Sequence, residues 1–367
     1  MKKIVSAVFF IFISMQMFSI KVSAQNQSEQ KNYQATVTQI LEKKTAGNLT
    51  TGEMFQKLEL VIDSKGEFYQ REITAENIDP RIEYKIGDKL MIYQAGSDTF
   101  LIADQVRTQP LLILFIIFIL AVLLISKWRG VGSLLGMAFS FLIIIYFILP
   151  KIATGNDPIL IAILGSLLII PATFYPSHGL NRKTNIAILS TFCALLITGF
   201  LAKFFLDFAK LSGLASEEAG FLQTMNPEVF DNMRGLLLAG IIIGVLGVLD
   251  DVTVSQASIV AQLKIANPQF TKIELYKRAM EVGRDHISSM VNTLVLVYAG
   301  ASLPLLLLFN DSAKPFAEIV NYEILADEIV RTLVGSIGLI LVVPISTFLA
   351  AIFIGKTDKK MSHDQLA

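Results

Sequence analysis

Two hydrophobic patterns divide the chain. Between residues 25 and 108, β-prone runs at 33–40, 55–62, 68–73, 90–93 and 100–103 recur, several of them alternating apolar with polar positions. Alternation of period two puts every second side chain on one face of a strand. Clusters such as Ala46-Gly47-Asn48 and Ile86-Gly87-Asp88 supply turns between the runs. Five short strands in about 80 residues predict a small antiparallel barrel of OB-like form. After Pro110 the alternation gives way to long apolar blocks at 109–126, 131–150, 158–175, 184–204, 235–250, 289–309 and 330–354. Each approaches the ~20 residues that a helix needs to cross the hydrocarbon layer. Backbone amides facing lipid must be satisfied within their own segment, so these blocks are expected to be helices.

The fold class expected is therefore mainly α: a polytopic bundle of about seven spans over 109–355, preceded by an extracytoplasmic β-rich domain over 25–108 and followed by a tail, 356–367. Ahead of the β domain, Lys2 and Lys3 introduce an apolar run from Ile4 to Ile20, and Val22-Ser23-Ala24 ends it. This is the pattern of a secretory signal peptide, residues 1–24, with cleavage after Ala24. An uncleaved anchor helix would give the same topology.

Loop charges give an independent reading of orientation. With the β domain outside, the inside loops and tail carry twelve Lys and Arg residues, from Lys127 and Arg129 to Lys359 and Lys360. The outside loops carry six. Cationic loops stay in the cytoplasm, which puts the C-terminus inside. The outside loops are acidic instead, with Asp207, Glu217, Glu218, Glu228 and Asp231 in one and Asp311, Glu318, Glu323, Asp327 and Glu328 in another. No calcium-ligand spacing recurs there, so ordinary solvated turns and helices are expected.

Composition narrows the chemistry. Apolar residues make up 53% and charged residues 17% of the chain, and mean hydropathy is +0.59. Lys and Arg total 31 against 31 acidic residues, which lacks the basic excess of a nucleic-acid binder. A single cysteine, Cys193, excludes an internal disulfide or a cysteine-based zinc site. No Walker lysine loop and no His-Glu-x-x-His motif occurs. No cofactor is expected, and the partners expected are the bilayer, an ion or small solute, or another membrane protein.

Most spans read as packing. Gly240, Gly244 and Gly247 form a small-residue stripe that would admit a neighbouring helix, and Pro171, Pro304 and Pro344 invite kinks in three spans. The exception is the end of the fifth span, where Asp250 and Asp251 follow an unbroken apolar run. Carboxylates at a helix C-terminus face the negative end of its dipole. The helix is thus expected to break and restart, with Thr253 and Gln256 as a capping box, or the acids to find a cation. Arg284 is the candidate partner, with His286 a nearby titratable group. Asp285, Ser289 and Asn292 share one helical face at the entry to span six, and Asn292 must find a partner at membrane depth. Thr271 and Glu274 form a second capping box, which predicts a helix of about ten residues closed by Gly283.

Two blocks carry a resemblance: Leu-Gly-Val-Leu-Asp-Asp-Val-Thr-Val-Ser-Gln from Leu246 to Gln256, and Gly-Arg-Asp-His-Ile-Ser-Ser-Met-Val-Asn-Thr-Leu-Val-Leu-Val-Tyr-Ala-Gly from Gly283 to Gly300. Together they resemble the YibE/F-like family of bacterial multi-pass membrane proteins. The resemblance extends over most of 109–355 and implies a bacterial inner or plasma membrane location, but no substrate. The residues themselves suggest transport of an ion or small solute, with Asp250, Asp251, Asp285, Arg284, His286 and Asn292 near the pathway. The alternative is a membrane scaffold that recognises a partner through its β domain. A third reading, an intramembrane aspartyl protease, would need Asp251 and Asp285 to share a proton.

Overall fold

A computed structural model describes residues 32–45, 54–63, 69–77, 82–95, 99–310 and 314–355. The expected signal segment 1–24, the turn at 46–48 and the tail 356–367 lie outside the described residues. The chain divides into two compact units, Met1–Ala121 and Val122–Ala367.

The first unit holds five antiparallel strands: β1 (Asn32–Thr45), β2 (Met54–Ile62), β3 (Glu72–Asn77), β4 (Lys89–Gln94) and β5 (Phe100–Gln105). Their order is β3-β2-β1-β4-β5. The long β1 is the hub: it pairs with β2 along most of its length and with β4 along its first turn-free stretch, Asn32 to Thr36. Register shifts after Val37 and Ile40 mark irregularities that increase the twist of β1. The sheet curls as a half-barrel, and no ladder joins β3 to β5 among the described residues. Alternation sends Tyr33, Ala35, Val37, Leu58, Leu60, Ile62, Leu90 and Ile92 into one core. At its edge the buried amide of Gln56 accepts from the Tyr84 N–H at 2.9 Å and donates to the Tyr84 carbonyl at 3.0 Å. The third strand begins later than its sequence pattern predicts. Tyr69 and Gln70 form a turn, with Gln70 at φ 59°, and pairing starts only at Glu72.

The remaining elements are helices: α1 (Thr108–Ile143), a π-helical turn (Ile144–Ile148), α2 (Leu149–Ala153), α3 (Pro158–His178), α4 (Arg182–Phe208), α5 (Glu217–Met225), α6 (Met233–Ala266), α7 (Lys272–Ala301), α8 (Leu303–Asn310), α9 (Phe316–Ile319) and α10 (Glu323–Gly355). Side chains set their starts. Asp157, Asn181, Ser216 and Asn232 each accept a backbone N–H from the first turn of α3, α4, α5 and α6, as N-caps do. The Thr271–Glu274 capping box is present at α7. Five helices are long and apolar enough to cross a membrane, or six if the bent pair α7 and α8 is one span. The first of these runs unbroken by residue count from Thr108 to Ala153, but Lys127 has non-helical backbone angles, φ 52° and ψ −129°.

Gly283 does not close α7. The helix runs on through it to Ala301, 30 residues in all from Lys272, and Gly283 serves a close approach: a Cβ there would come 2.7 Å from Val343 Cγ1. The helix ends at Ser302 instead, and α8 leaves at an angle of 72°. Pro304 stands at the start of α8, where its missing N–H interrupts the ladder. Similarly, Pro150 follows the π-helical turn, in which the Leu149 N–H reaches Ile144 O.

Within the second unit α4, α6 and α10 pack on one another, α3 lies on α6, and α7 lies on α10. Leu195, Leu206, Ile241, Leu249, Val260 and Val342 are among the residues that fill this core. Buried hydroxyls donate to the carbonyl one turn back, as Ser166 does to Ala162 O and Thr198 to Ala194 O, both at 2.8 Å. Those bonds let small polar residues sit at apolar contacts without an unsatisfied donor.

Candidate functional site

The helix α6 runs without interruption from Met233 to Ala266. Asp250 and Asp251 therefore lie in its middle, and the expected break with a new capping box at Thr253 and Gln256 is not there. Thr253 and Gln256 are fully buried and tie helices together. Thr253 Oγ1 lies 2.8 Å from Thr191 Oγ1 on α4 and 3.0 Å from Asp250 O. The Thr253 carbonyl accepts from Ser346 Oγ of α10 at 3.0 Å, and Gln256 Oε1 accepts from Thr347 Oγ1 at 3.0 Å. In a helix spanning an apolar core, a capping sequence has no free amides to cap. Its hydroxyl and amide bond across helices instead.

At 100° per residue, the carboxylates leave α6 roughly 120–140° around the axis from Gln256. They line a different space. A cavity of about 420 Å³ is walled by Ser133, Gly136 and Ser140 of α1, Ile144 of the π-helical turn, Thr173, Ser177 and His178 of α3, and Gly247, Asp250, Asp251 and Val254 of α6. Its walls come close because α1 carries glycines where it crosses α3. A Cβ on Gly132 would collide with the Pro176 carbonyl, and one on Gly136 would come 3.0 Å from Thr173 Cα. The π-helical turn meets α3 at a third glycine, Gly165, against Ile148.

Asp250 is half-buried as a residue, but its Oδ1 is shut off from solvent and has no hydrogen-bond partner among the described residues. Its Oδ2 accepts from Thr173 Oγ1 at 3.4 Å, a long bond from a hydroxyl also directed at Ile169 O and Ile170 O. Asp251, by contrast, is exposed into the open part of the cavity. His178, whose ring lies edge-on to Phe174 at 6.3 Å, feels the charge of Asp251 together with those of Lys183 and Arg129. The cavity thus combines one sequestered carboxyl oxygen, one accessible carboxyl, one imidazole and several hydroxyls.

The second sequence block lies elsewhere. Gly283 packs on Gln256 and Val343, so it faces the side of α6 away from the carboxylates. Arg284, Asp285, Ser289 and Asn292 are exposed on α7, and His286 is half-exposed. None of them lines the Asp250 cavity, and no ion pair joins Arg284 to Asp250 or Asp251 among the described residues. Ser289 Oγ donates to Asp285 O at 3.2 Å, one turn back along the same helix. Asp251 and Asp285 do not share the cavity either. In place of Arg284, the structure brings Thr173, Ser177 and His178 to the acids. Sequence reasoning missed them because α3 reads as an apolar span, although Thr173, Ser177 and His178 are the polar residues at its end.

The glycine stripe is also reassigned. A Cβ on Gly240 or Gly247 would meet nothing within 4 Å, and one on Gly244 would meet only the Tyr298 hydroxyl at 3.6 Å. Among the described residues no helix lies in close contact along it; α4 and α10 pack on other faces of α6. Close approach is made instead by Gly132, Gly136, Gly283 and Gly338, the last against Thr198.

No solved structure and no curated protein matches the chain. The model of the YibE/F-like protein family matches residues 114–356, a stretch that takes in every wall of the cavity. By that match, which covers most of its length, the chain belongs to the YibE/F-like protein family.

Proposed function

We propose that this protein is a polytopic plasma-membrane transporter that moves a proton or small cation, with Asp250 as the group that receives it. The observation that carries the reading is the Oδ1 of Asp250: buried, unpartnered, and set in the wall of a cavity in the middle of an apolar helix. A carboxyl oxygen cut off from water and donors is costly unless a proton or cation reaches it. Ionisable groups at such depth mark pathways more often than they stabilise a fold.

Seven spans accommodate the helices. A straight helix of 46 residues would be about 69 Å long, roughly twice the ~30 Å hydrocarbon thickness. Breaking it at Lys127 yields two spans joined by the cationic Lys127-Trp128-Arg129 turn, and α7 with α8 makes one more. The loop charges then orient the β unit outside and the Asp250 cavity toward the cytoplasm.

The test is flux in liposomes loaded with a pH-sensitive dye, comparing parent with Asp250→Asn, a near-isosteric change. Flux falling by roughly tenfold or more, with unchanged thermal unfolding, is the expected result. Equal flux in both would remove Asp250 from the mechanism. The β unit supports a second role, partner recognition, because its separate core serves no part of the cavity. Crosslinking in native membranes with and without residues 25–108 tests that role. Neighbours retained without the β unit would refute it.

A further inference from the structure

A second cavity, of about 280 Å³, opens at the other end of α6, walled by Gly213, Glu218 of α5, Met233 and Gly240 of α6, and Asp327 and Arg331 of α10. Asp327 is 7% exposed, and its Oδ1 is shut off from solvent with no hydrogen-bond partner among the described residues. The cations that could neutralise it are engaged elsewhere. Arg331 donates to Glu328 Oε1 at 2.9 Å, and Arg234 donates to Leu211 O at 2.7 Å and Asp207 Oδ1 at 3.1 Å. Glu323, one turn before Asp327, accepts the backbone N–H groups of Ser212 and Gly213. The groups facing Asp327 are therefore Glu323, Glu328 and Arg331 on its own helix and Glu218 on α5; α6 contributes only Met233, Leu236, Leu237 and Gly240 to the cavity. Three carboxylates surround it against one cation.

The two cavities belong to one face of one helix. Met233, Gly240, Gly244, Gly247 and Asp251 fall within about 40° of a line along α6. Met233 and Gly240 wall the Asp327 cavity, and Gly247 and Asp251 wall the Asp250 cavity. The midpoints of the two wall segments are about 14 residues apart, or about 21 Å along the axis. In a bilayer-spanning helix that separation would put the two cavities in opposite halves of a ~30 Å hydrocarbon layer.

We infer that Asp327 is a second proton-accepting carboxyl, loaded from the cavity opposite that of Asp250. A hydronium ion entering that cavity gives up a proton and becomes water, an O–H bond forms on the Asp327 carboxylate, and the reverse step returns the proton to water. A proton suits the site better than a multivalent ion, which needs several oxygen ligands. Among the described residues no group of three or more His, Cys, Asp or Glu side chains is placed to hold a metal. The inference extends the transport reading of Asp250 and adds a site at the other face.

Difference infrared spectroscopy of the full chain in liposomes, titrated through neutral pH, reads protonated carboxyls directly. Asp327→Asn is expected to remove one protonated-carboxyl component that Asp250→Asn leaves in place, and Asp327→Glu to restore a shifted one. The same Asn variant is expected to slow proton flux by roughly tenfold. An Asp327 component in a protein whose flux does not depend on Asp250 would keep this site and discard the transport reading. Asp250-dependent flux with no component lost in Asp327→Asn would overturn the second site and leave transport standing.

Discussion

The glycines provide a test of the helix packing that forms the cavity. Gly132→Ala and Gly240→Ala make the same chemical change inside long helices. Alanine is favoured over glycine in a helix by ~0.8–1.0 kcal/mol. At Gly240 the new methyl group meets nothing within 4 Å, so that gain is expected in full. At Gly132 the Cβ would collide with the Pro176 carbonyl oxygen, come 2.6 Å from its carbon and 2.9 Å from Ser177 Cα. All three are backbone atoms, which cannot rotate aside. Restoring ordinary contact requires α1 and α3 to part by about 1 Å, an overpacking cost of ~1–3 kcal/mol. The propensity gain is common to both variants and cancels in their difference. Thermal unfolding in detergent, followed by circular dichroism, is therefore expected to place Gly132→Ala ~1–3 kcal/mol below Gly240→Ala. The same parting of helices would widen the Asp250 cavity, whose walls include Ser133 and Ser177. Equal stabilities for the two variants would refute the crossing of α1 and α3, and with it the shape of the cavity.

Removing the Thr253 hydroxyl in Thr253→Val is expected to cost ~1 kcal/mol, and a double-mutant cycle with Thr191→Val should show coupling, since the two hydroxyls are 2.8 Å apart; additive effects would count against the bond. In the β unit, Arg107 donates to Asp104 Oδ2 at 2.8 Å and the Gln105 N–H donates to Oδ1 at 2.7 Å, and the Arg107 bond above all holds the Asp104 carboxyl below its ordinary 3.8. A carboxyl lowered on folding adds stability above its unfolded pKa, and loses it as pH falls through the lower folded value. In a carbon-13 titration of the full chain, Arg107→Gln should move the Asp104 midpoint up toward 3.8; an unmoved midpoint would contradict the pairing.

The strands and apolar helices were legible because both patterns are local. Alternation along 90–93 names Leu90 and Ile92 as core before any partner strand is known, and both are buried. The Thr271–Glu274 box likewise needs only four residues to predict a helix start, and it is there. The end of that helix was not legible, since a glycine signals equally a stop or a close contact. Only the position of Val343 against Gly283 decides between them.

For the candidate site the division is sharper. By itself the sequence determined that Asp250 and Asp251 sit at the end of an apolar run and that the chain resembles YibE/F-like proteins. Tertiary structure decided which way the run turns: Asp250 and Asp251 toward α1 and α3, Thr253 and Gln256 toward α4 and α10. The physical reason is that lipid is as apolar as a helix interface, so a spanning helix is hydrophobic all round and no periodicity marks its packed face. Only the neighbouring backbones, brought close at Gly132, Gly136 and Gly338, select that face and leave one carboxyl oxygen of Asp250 buried at the wall of a cavity.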